Sequence, residues 1–257
     1  MKKIFLILFL LCSPCLAEVQ FDNTDDFLSC GTTDGVITEN GALTISAWIN
    51  FAGAGEGNNG RIISKETAGG VGPRFYTTLN TKPKLQFTVS GSTDMNVSAV
   101  TDSITTGTWY HVLLTWDGST NANNVHFYYN GVESTPHTDN TNGVTPTDNS
   151  ANTLMIGNRG NNDRTANATI SDLAIWNVEL NAQEIAQLSA SRLKRIPLQI
   201  RSSNLKAYWP LDEKPDGENA NGTTFIDASG NGNNCTADDG ANNTGMTAKA
   251  EEYVSYP

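Results

Sequence analysis

Trp109-Tyr110-His111-Val112-Leu113-Leu114-Thr115-Trp116, followed by Val125-His126-Phe127-Tyr128-Tyr129-Asn130-Gly131-Val132, decides the fold class. Tyr110, Val112, Leu114 and Trp116 fall on one face of an extended strand, and Trp109, His111 and Leu113 fall on the other. Val125, Phe127 and Tyr129 alternate in the same way, and Asn130-Gly131 is a strong signal for a tight hairpin leading to Val132. The pattern recurs on both sides of this stretch. Val19 and Phe21 come first, then Leu43, Ile45, Ala47 and Ile49, then Ile62-Ile63-Ser64, then Leu85, Phe87 and Val89. Leu154 to Gly157 and Ile170 to Trp176 follow, each run bounded by Gly, Asn, Asp or Pro. Many short strands separated by turn signals predict an all-β sandwich or barrel. One short helix is expected near 181–195. Asn181 is its N-cap, Glu184 stands in capping-box register, Ile185 and Leu188 share a face, and Pro197 stops it.

Composition supports a folded chain. Of the 257 residues, 38% are hydrophobic and only 17% charged, which is not a disorder composition. Met1-Lys2-Lys3, an apolar run to Leu11, and small residues at Cys15 and Ala17 have the layout of a secretory signal peptide over 1–17. That apolar run is too short to span a bilayer, and no other stretch is long and apolar enough. Removing 1–17 leaves 240 residues, and it moves the formal charge from −11 to −13 because Lys2 and Lys3 leave with no acid. So acidic a chain would repel nucleic-acid phosphates. The length suits one all-β domain with an appendage, or two small domains. The reading here is a sandwich over 18–190, a basic linker over 191–204, and a C-terminal segment over 205–257 with a polar, poorly ordered tail from about 237.

Two cysteines remain after the leader, Cys30 and Cys235. In an exported protein they most simply read as one disulfide, with two separately buried thiols as the alternative. Leu11 and Pro14, which precede Cys12 and Cys15, do not suit a lipidated cysteine.

A family resemblance emerges from an ordered set of pieces. Phe21-Asp22-Asn23-Thr24-Asp25-Asp26-Phe27 is followed by Leu43 to Ile49, Ile62-Ile63-Ser64-Lys65 and Gly107-Thr108-Trp109-Tyr110-His111-Val112. Tyr129-Asn130-Gly131, Ile156-Gly157, Ile170 to Asn177 and Gln183-Glu184-Ile185 complete it. The set resembles the laminin-G-like modules of the concanavalin A-like lectin/glucanase superfamily over roughly 19–190. The resemblance implies a jelly-roll sandwich of two antiparallel sheets. In such modules the equivalents of Tyr208-Trp209-Pro210-Leu211-Asp212 and of Asp227 to Asn233 normally precede the first strand. Here they follow the helix, which implies either a circular permutation or a truncated second copy. A Cys30–Cys235 bond would favour the first.

The glucanase members place paired acids as Glu-x-Asp-x-x-Glu on a strand, where an acid and a nucleophile must lie close together. No strand run here has that spacing, and no serine elbow is present. His111, His126 and His137 are too scattered in the chain to suggest a metal triad, and the first two read as sheet-face residues. Calcium, which needs several oxygen ligands, is the cofactor expectation. Asp227, Asn231 and Asn233 supply oxygens in a tight loop, and Asp172 resembles a strand position that carries a structural ion in the family. Asp22, Asp25 and Asp26 form a further cluster. The alternative for 227–233 is an Asx-type turn without an ion. For ligand binding, the five Trp read as core or sheet-face residues, leaving Tyr76 and Tyr128 as freer aromatics. Asn158, Arg159, Asn161 and Asp163 stand in a polar loop. The expectation is an exported, non-catalytic module that binds carbohydrate or a surface polymer, free or at a cell or virion surface. The rival is a structural or adhesive scaffold with a protein partner, and a glycoside hydrolase ranks third.

Overall fold

The computed structural model describes residues 17–33, 35–79, 82–100, 104–135, 137–193, 195–240 and 245–250. Of the expected leader only Ala17 falls within them; residues 251–257 of the tail and Lys194 of the basic stretch also lie outside. Among the described residues the chain forms β1 (Ala17–Asp22), β2 (Phe27–Ser29), β3 (Leu43–Phe51), β4 (Arg61–Ser64), β5 (Arg74–Leu79) and β6 (Pro83–Val89). There follow β7 (Gly91–Thr93), β8 (Met95–Ser98), β9 (Trp109–Trp116), β10 (Val125–Tyr129), β11 (Val132–Glu133), β12 (Thr138–Thr141) and β13 (Val144–Pro146). Then come β14 (Met155–Ile156), β15 (Asn167–Trp176), helix α1 (Ala182–Ser189), β16 (Leu205–Trp209), β17 (Thr224–Phe225), β18 (Cys235–Asp238) and β19 (Thr247–Ala250).

These strands build two antiparallel sheets and a small β7–β13 pair. The first sheet runs β11-β10-β9-β3-β15-β1-β19, and β16 also pairs with β15. The second runs β12-β8-β6-β5-β4-β14-β2-β18-β17. The inward positions of the alternating runs meet between the sheets. Phe21, Ile45, Ile49, Leu114, Trp116 and Ile170 from the first sheet share one buried cluster with Leu28, Ile63, Phe75, Phe87, Ile156 and Phe225. Each such side chain contributes about 1.5–3 kcal/mol on burial, which makes this layer the main stabilising term.

The C-terminal segment enters both sheets. Along one edge of β15, β1 pairs with its first half (Val19 with Ile170) and β16 with its second half (Leu173 with Trp209). A bulge separates the halves, and Asp172 sits in it with φ of 51°. β18 pairs with β2, and Cys30 and Cys235 form a disulfide, which removes the alternative of two separate thiols. β19 pairs with β1, so residues 247–250 are sheet rather than loose tail. Met246 and Ala248 are buried there, an alternation too short to stand out in a polar sequence.

A second apolar layer lies on the outer face of the first sheet. Leu180, Ile185 and Leu188 pack with Leu113, Ala174, Trp176, Leu205 and Tyr208. The capping box is present: the Asn181 side chain accepts from Gln183 and Glu184 N–H groups, and Glu184 accepts from the Asn181 N–H at 2.9 Å. The helix ends at Ser189, short of the expected 195. One turn past Leu188 stand Ser191 and Arg192, and Leu193 is 70% exposed, so no apolar face continues to hold a helix.

Candidate functional site

The helix and the segment after it cover only part of the first sheet's outer face. On the uncovered part the strand register lines up one cross-strand row. Thr247 pairs with Gln20, Gln20 with Thr169, Thr169 with Asn50, and Asn50 with Trp109. Side chains in such a row point the same way, and those of Gln20, Thr169, Asn50 and Trp109 floor a groove of about 340 Å³. Glu18 and Lys249, themselves a cross-strand pair, and Asp216 complete its lining. Gln20, Asn50 and Thr169 are half-buried, and Asp216 and Lys249 are exposed at the rim. The Trp109 ring is held from one side by Arg192, whose guanidinium carbon lies 3.7 Å from the ring centroid and whose tip pairs with the buried Glu18 carboxylate. The groove therefore presents two amides, a hydroxyl, the Asp216 acid and the Lys249 ammonium beside an immobilised aromatic wall, with the second acid, Glu18, paired to Arg192. That set suits a hydroxyl-rich ligand and carries little net charge.

The residues nominated from the sequence lie elsewhere. Asn158 is fully buried and satisfied: its amide N–H groups reach the Asp26 carbonyl and Thr165, and its oxygen accepts from Arg159 and Arg164 N–H groups. It braces the 158–164 loop and offers nothing outward. Arg159 and Asp163 form a two-point ion pair at 2.6 and 3.0 Å, and Asn161 also donates to Asp163. The Arg159 hydrogen bond pulls the Asp163 carboxyl down to about 2. Tyr76 is not a free aromatic. It is buried on the second sheet with the Arg61 and Arg74 guanidinium groups 4.6 and 5.9 Å from its ring centroid, and Arg61 is tied to Glu66 at 2.5 Å. Tyr128 is half-buried against the helix layer on the first sheet. The structure thus brings the four loop residues together but joins neither tyrosine to them as a platform.

A family model described as the concanavalin A-like lectin/glucanases superfamily matches residues 22–186. The chain belongs to that superfamily. A candidate carbohydrate binding protein from Bacteroides ovatus shares the lectin-like sandwich at a TM-score of 0.59 and 21% identity, over 92% of this chain and 60% of that one. This chain therefore spans less than two thirds of that relative's length. A native heptameric SAP-like pentraxin from Limulus polyphemus matches at 0.57 and 16% identity, over 93% and 97% of the two chains. A tailspike protein from an Escherichia coli O157:H7 bacteriophage matches at 0.50 and 12% identity, over 77% of this chain and 27% of that one. At these identities the likeness establishes a shared fold. No curated protein sequence matches the chain.

Within this lectin-like sandwich the first calcium set does not converge. Asp172 accepts from the Tyr208 hydroxyl at 2.5 Å, while Asp227 accepts from the Tyr208 backbone N–H at 2.9 Å, so they hold opposite ends of one residue. Burial and the Asp172 charge push the Tyr208 pKa upward, keeping that hydroxyl a donor. Asp227 also accepts from Ser229 and Asn233 N–H groups, and the Asn231 and Asn233 side-chain amides donate to the carbonyls of β16. Its oxygens already face N–H dipoles, so 227–233 is a hydrogen-bonded Asx-type loop that anchors β16 and does not fit a cation.

The second acidic cluster is different. The β2–β18 register pairs Asp238 with Phe27, which brings the next residues, Asp239 and Asp26, side by side. Both are buried, and Asp26 Oδ1 and both Asp239 carboxylate oxygens lack a hydrogen-bond partner among the described residues. Burial chiefly, then the neighbouring Asp22 and Asp239 charges, raise the Asp26 carboxyl to about 7. These orphaned oxygens fit a hard cation.

The groove residues escaped sequence reading because they are the outward, polar members of runs whose inward members mark the strands. Gln20 between Val19 and Phe21, Asn50 after Ile49 and Thr169 before Ile170 were visible as such, but only the pairing register puts them in one row.

Proposed function

We propose that this chain is an exported, non-catalytic carbohydrate-binding module, and that its ligand lies along the groove on the first sheet's outer face. The observation that carries this reading is the continuous Gln20–Thr169–Asn50–Trp109 row beneath a 340 Å³ groove. That volume is at the lower end of ligand pockets, appropriate to a short stretch of a neutral glycan or surface polymer rather than to a globular partner. Amides and hydroxyls would bond the sugar hydroxyls in pairs, and the Trp109 edge would meet the apolar side of a ring. The carbohydrate-binding description of the Bacteroides ovatus protein supports the ligand class. Export is supported by the disulfide, which persists in oxidising compartments.

The test is a glycan array and neutral-polysaccharide panel probed with residues 18–257. Wild type should bind a defined sugar. Asn50→Ala combined with Gln20→Ala should weaken that binding at least about tenfold while the melting temperature holds, since loss of a paired hydrogen bond is worth about 1–2 kcal/mol. Binding that survives the double variant would move the site elsewhere. Silence on every sugar, with self-association or capture of a protein, would favour the adhesive scaffold.

Calcium forms a second part of the proposal, located at Asp22, Asp26 and Asp239 rather than in the Asp227 loop. An ion there would neutralise the buried Asp26 and Asp239 carboxyls, three of whose oxygens lack a hydrogen-bond partner among the described residues. The melting temperature should rise with calcium and fall with chelator, and Asp239→Asn should abolish the difference.

A further inference from the structure

His126, Glu133 and His137, dispersed in the sequence, meet at the outer edge of the first sheet. β10 and β11 pair Tyr128 with Glu133, which sets Glu133 diagonally across from His126 on the same face. His126 Nδ1 lies 2.7 Å from Glu133 Oε1. The chain beyond β11 then returns His137, whose ring centroid is 5.9 Å from that of His126 and whose ring stands edge-on to Phe127. One ligand atom from each of the three residues lies within 4.8 Å of the other two. The His137 Nε2 atom is buried and has no hydrogen-bond partner among the described residues.

We propose that these three side chains bind a divalent first-row transition ion, Zn²⁺ in particular. Two imidazole nitrogens and one carboxylate are a borderline donor set that suits Zn²⁺ and not Ca²⁺ or Mg²⁺. Tetrahedral Zn–N and Zn–O bonds of 2.0–2.2 Å place ligand atoms about 3.3 Å apart. The His126–Glu133 pair has only to open slightly, and His137 to move inward by rotation of its side chain. The ion takes the place of the His126–Glu133 hydrogen bond, and it gives the His137 Nε2 atom the partner it lacks among the described residues. The surroundings favour this. Glu179 lies close enough to His126 to interact with it, and Asp117 lies near Glu179, which adds negative charge around the site. His126 and Glu133 side chains are 37% and 38% exposed, leaving the ion a path in and a coordination position for water. The bound ion would clamp the β10–β11 hairpin to the segment that follows it. This site is separate from the groove and from the Asp26–Asp239 carboxylates.

The experiment uses residues 18–257 carrying no histidine tag, stripped with chelator and titrated with ZnCl₂ in a calorimeter, with Co²⁺ absorption as an independent report of ligand geometry. Expected are one Zn²⁺ per chain, a raised melting temperature, and at least about tenfold weaker binding in His126→Ala, His137→Ala and Glu133→Gln. Should an alanine variant misfold by circular dichroism, His137→Gln keeps the size and removes the ligand. Unchanged affinity in the folded His137 variant, or no saturable Zn²⁺ uptake by wild type, overturns the proposal.

Discussion

Replacing both Cys30 and Cys235 by alanine tests how far one covalent bond holds this sandwich together. The two residues are 205 apart in sequence, so the bond closes most of the chain into a loop. The chain-entropy relation for a loop of that length gives about 5 kcal/mol of stabilisation at 25 °C, through restriction of the unfolded state. The native state should change little. Both side chains are buried, β18 keeps its backbone pairing with β2, and the cavity left by two sulfurs is small. Taking a urea m-value of about 2.5 kcal/mol/M for a chain this size, the unfolding midpoint should drop by about 2 M. The buried tryptophans Trp116, Trp176 and Trp209 make intrinsic fluorescence the natural probe, with wild type in oxidised and reduced forms measured alongside. Reduced wild type should match the double variant. A midpoint change under about 0.3 M, with the m-value unchanged, would refute the loop-closure reasoning. It would mean that the unfolded ensemble already holds its two ends near each other.

Three further perturbations follow from the packing. His111 is fully buried, and burial lowers its pKa to about 3, so the unfolded chain takes up a proton that the native chain resists. Its contribution is intact above pH 6.5 and lost as pH falls towards 3, by about 3 kcal/mol at pH 4; His111→Gln should flatten that limb in urea titrations at pH 7, 5.5 and 4. Asp26 has the opposite sign. Its pKa of about 7 makes the native chain hold a proton that the unfolded chain releases above pH 3.8, so its contribution is present at low pH and lost as pH rises through 7. Asp26→Asn in chelator should therefore stabilise the protein by about 2–4 kcal/mol at pH 8, read from the urea midpoint, and expose the full His111 slope; an unchanged midpoint would count against the burial argument. Gly157 has φ of 83°, and an added Cβ would lie 2.1 Å from the Phe21 ring, so Gly157→Ala should cost about 2–4 kcal/mol in the same assay.

Much of this protein was legible in residue order. Period-two alternation identified the principal strands because one face of each must be apolar to meet the other sheet. Asn130-Gly131 marked its hairpin and Asn181 with Glu184 marked the helix start, since both signals are local backbone chemistry. The end of the helix was less legible. Pro197 looked like the stop, but the apolar stripe had already run out at Leu188. The loop from Asn158 to Asp163 stood out as polar, yet its groups bond to one another and to the core, which no composition reveals.

The sites themselves were decided by pairing. His126, Glu133 and His137 straddle the Asn130-Gly131 turn, and folding that hairpin mentally would have brought the first two together; the return of His137 would still have been missed. The groove lining draws on five strands, β1, β3, β9, β15 and β19, two of which come from opposite ends of the sequence. Asp26 and Asp239 meet only because β18 docks on β2. Local sequence determines which residues face inward, because burial of apolar surface acts on each strand separately. Which outward polar residues become neighbours depends on strand order and register, and these follow from long-range hydrogen bonding and core packing that only the complete fold satisfies.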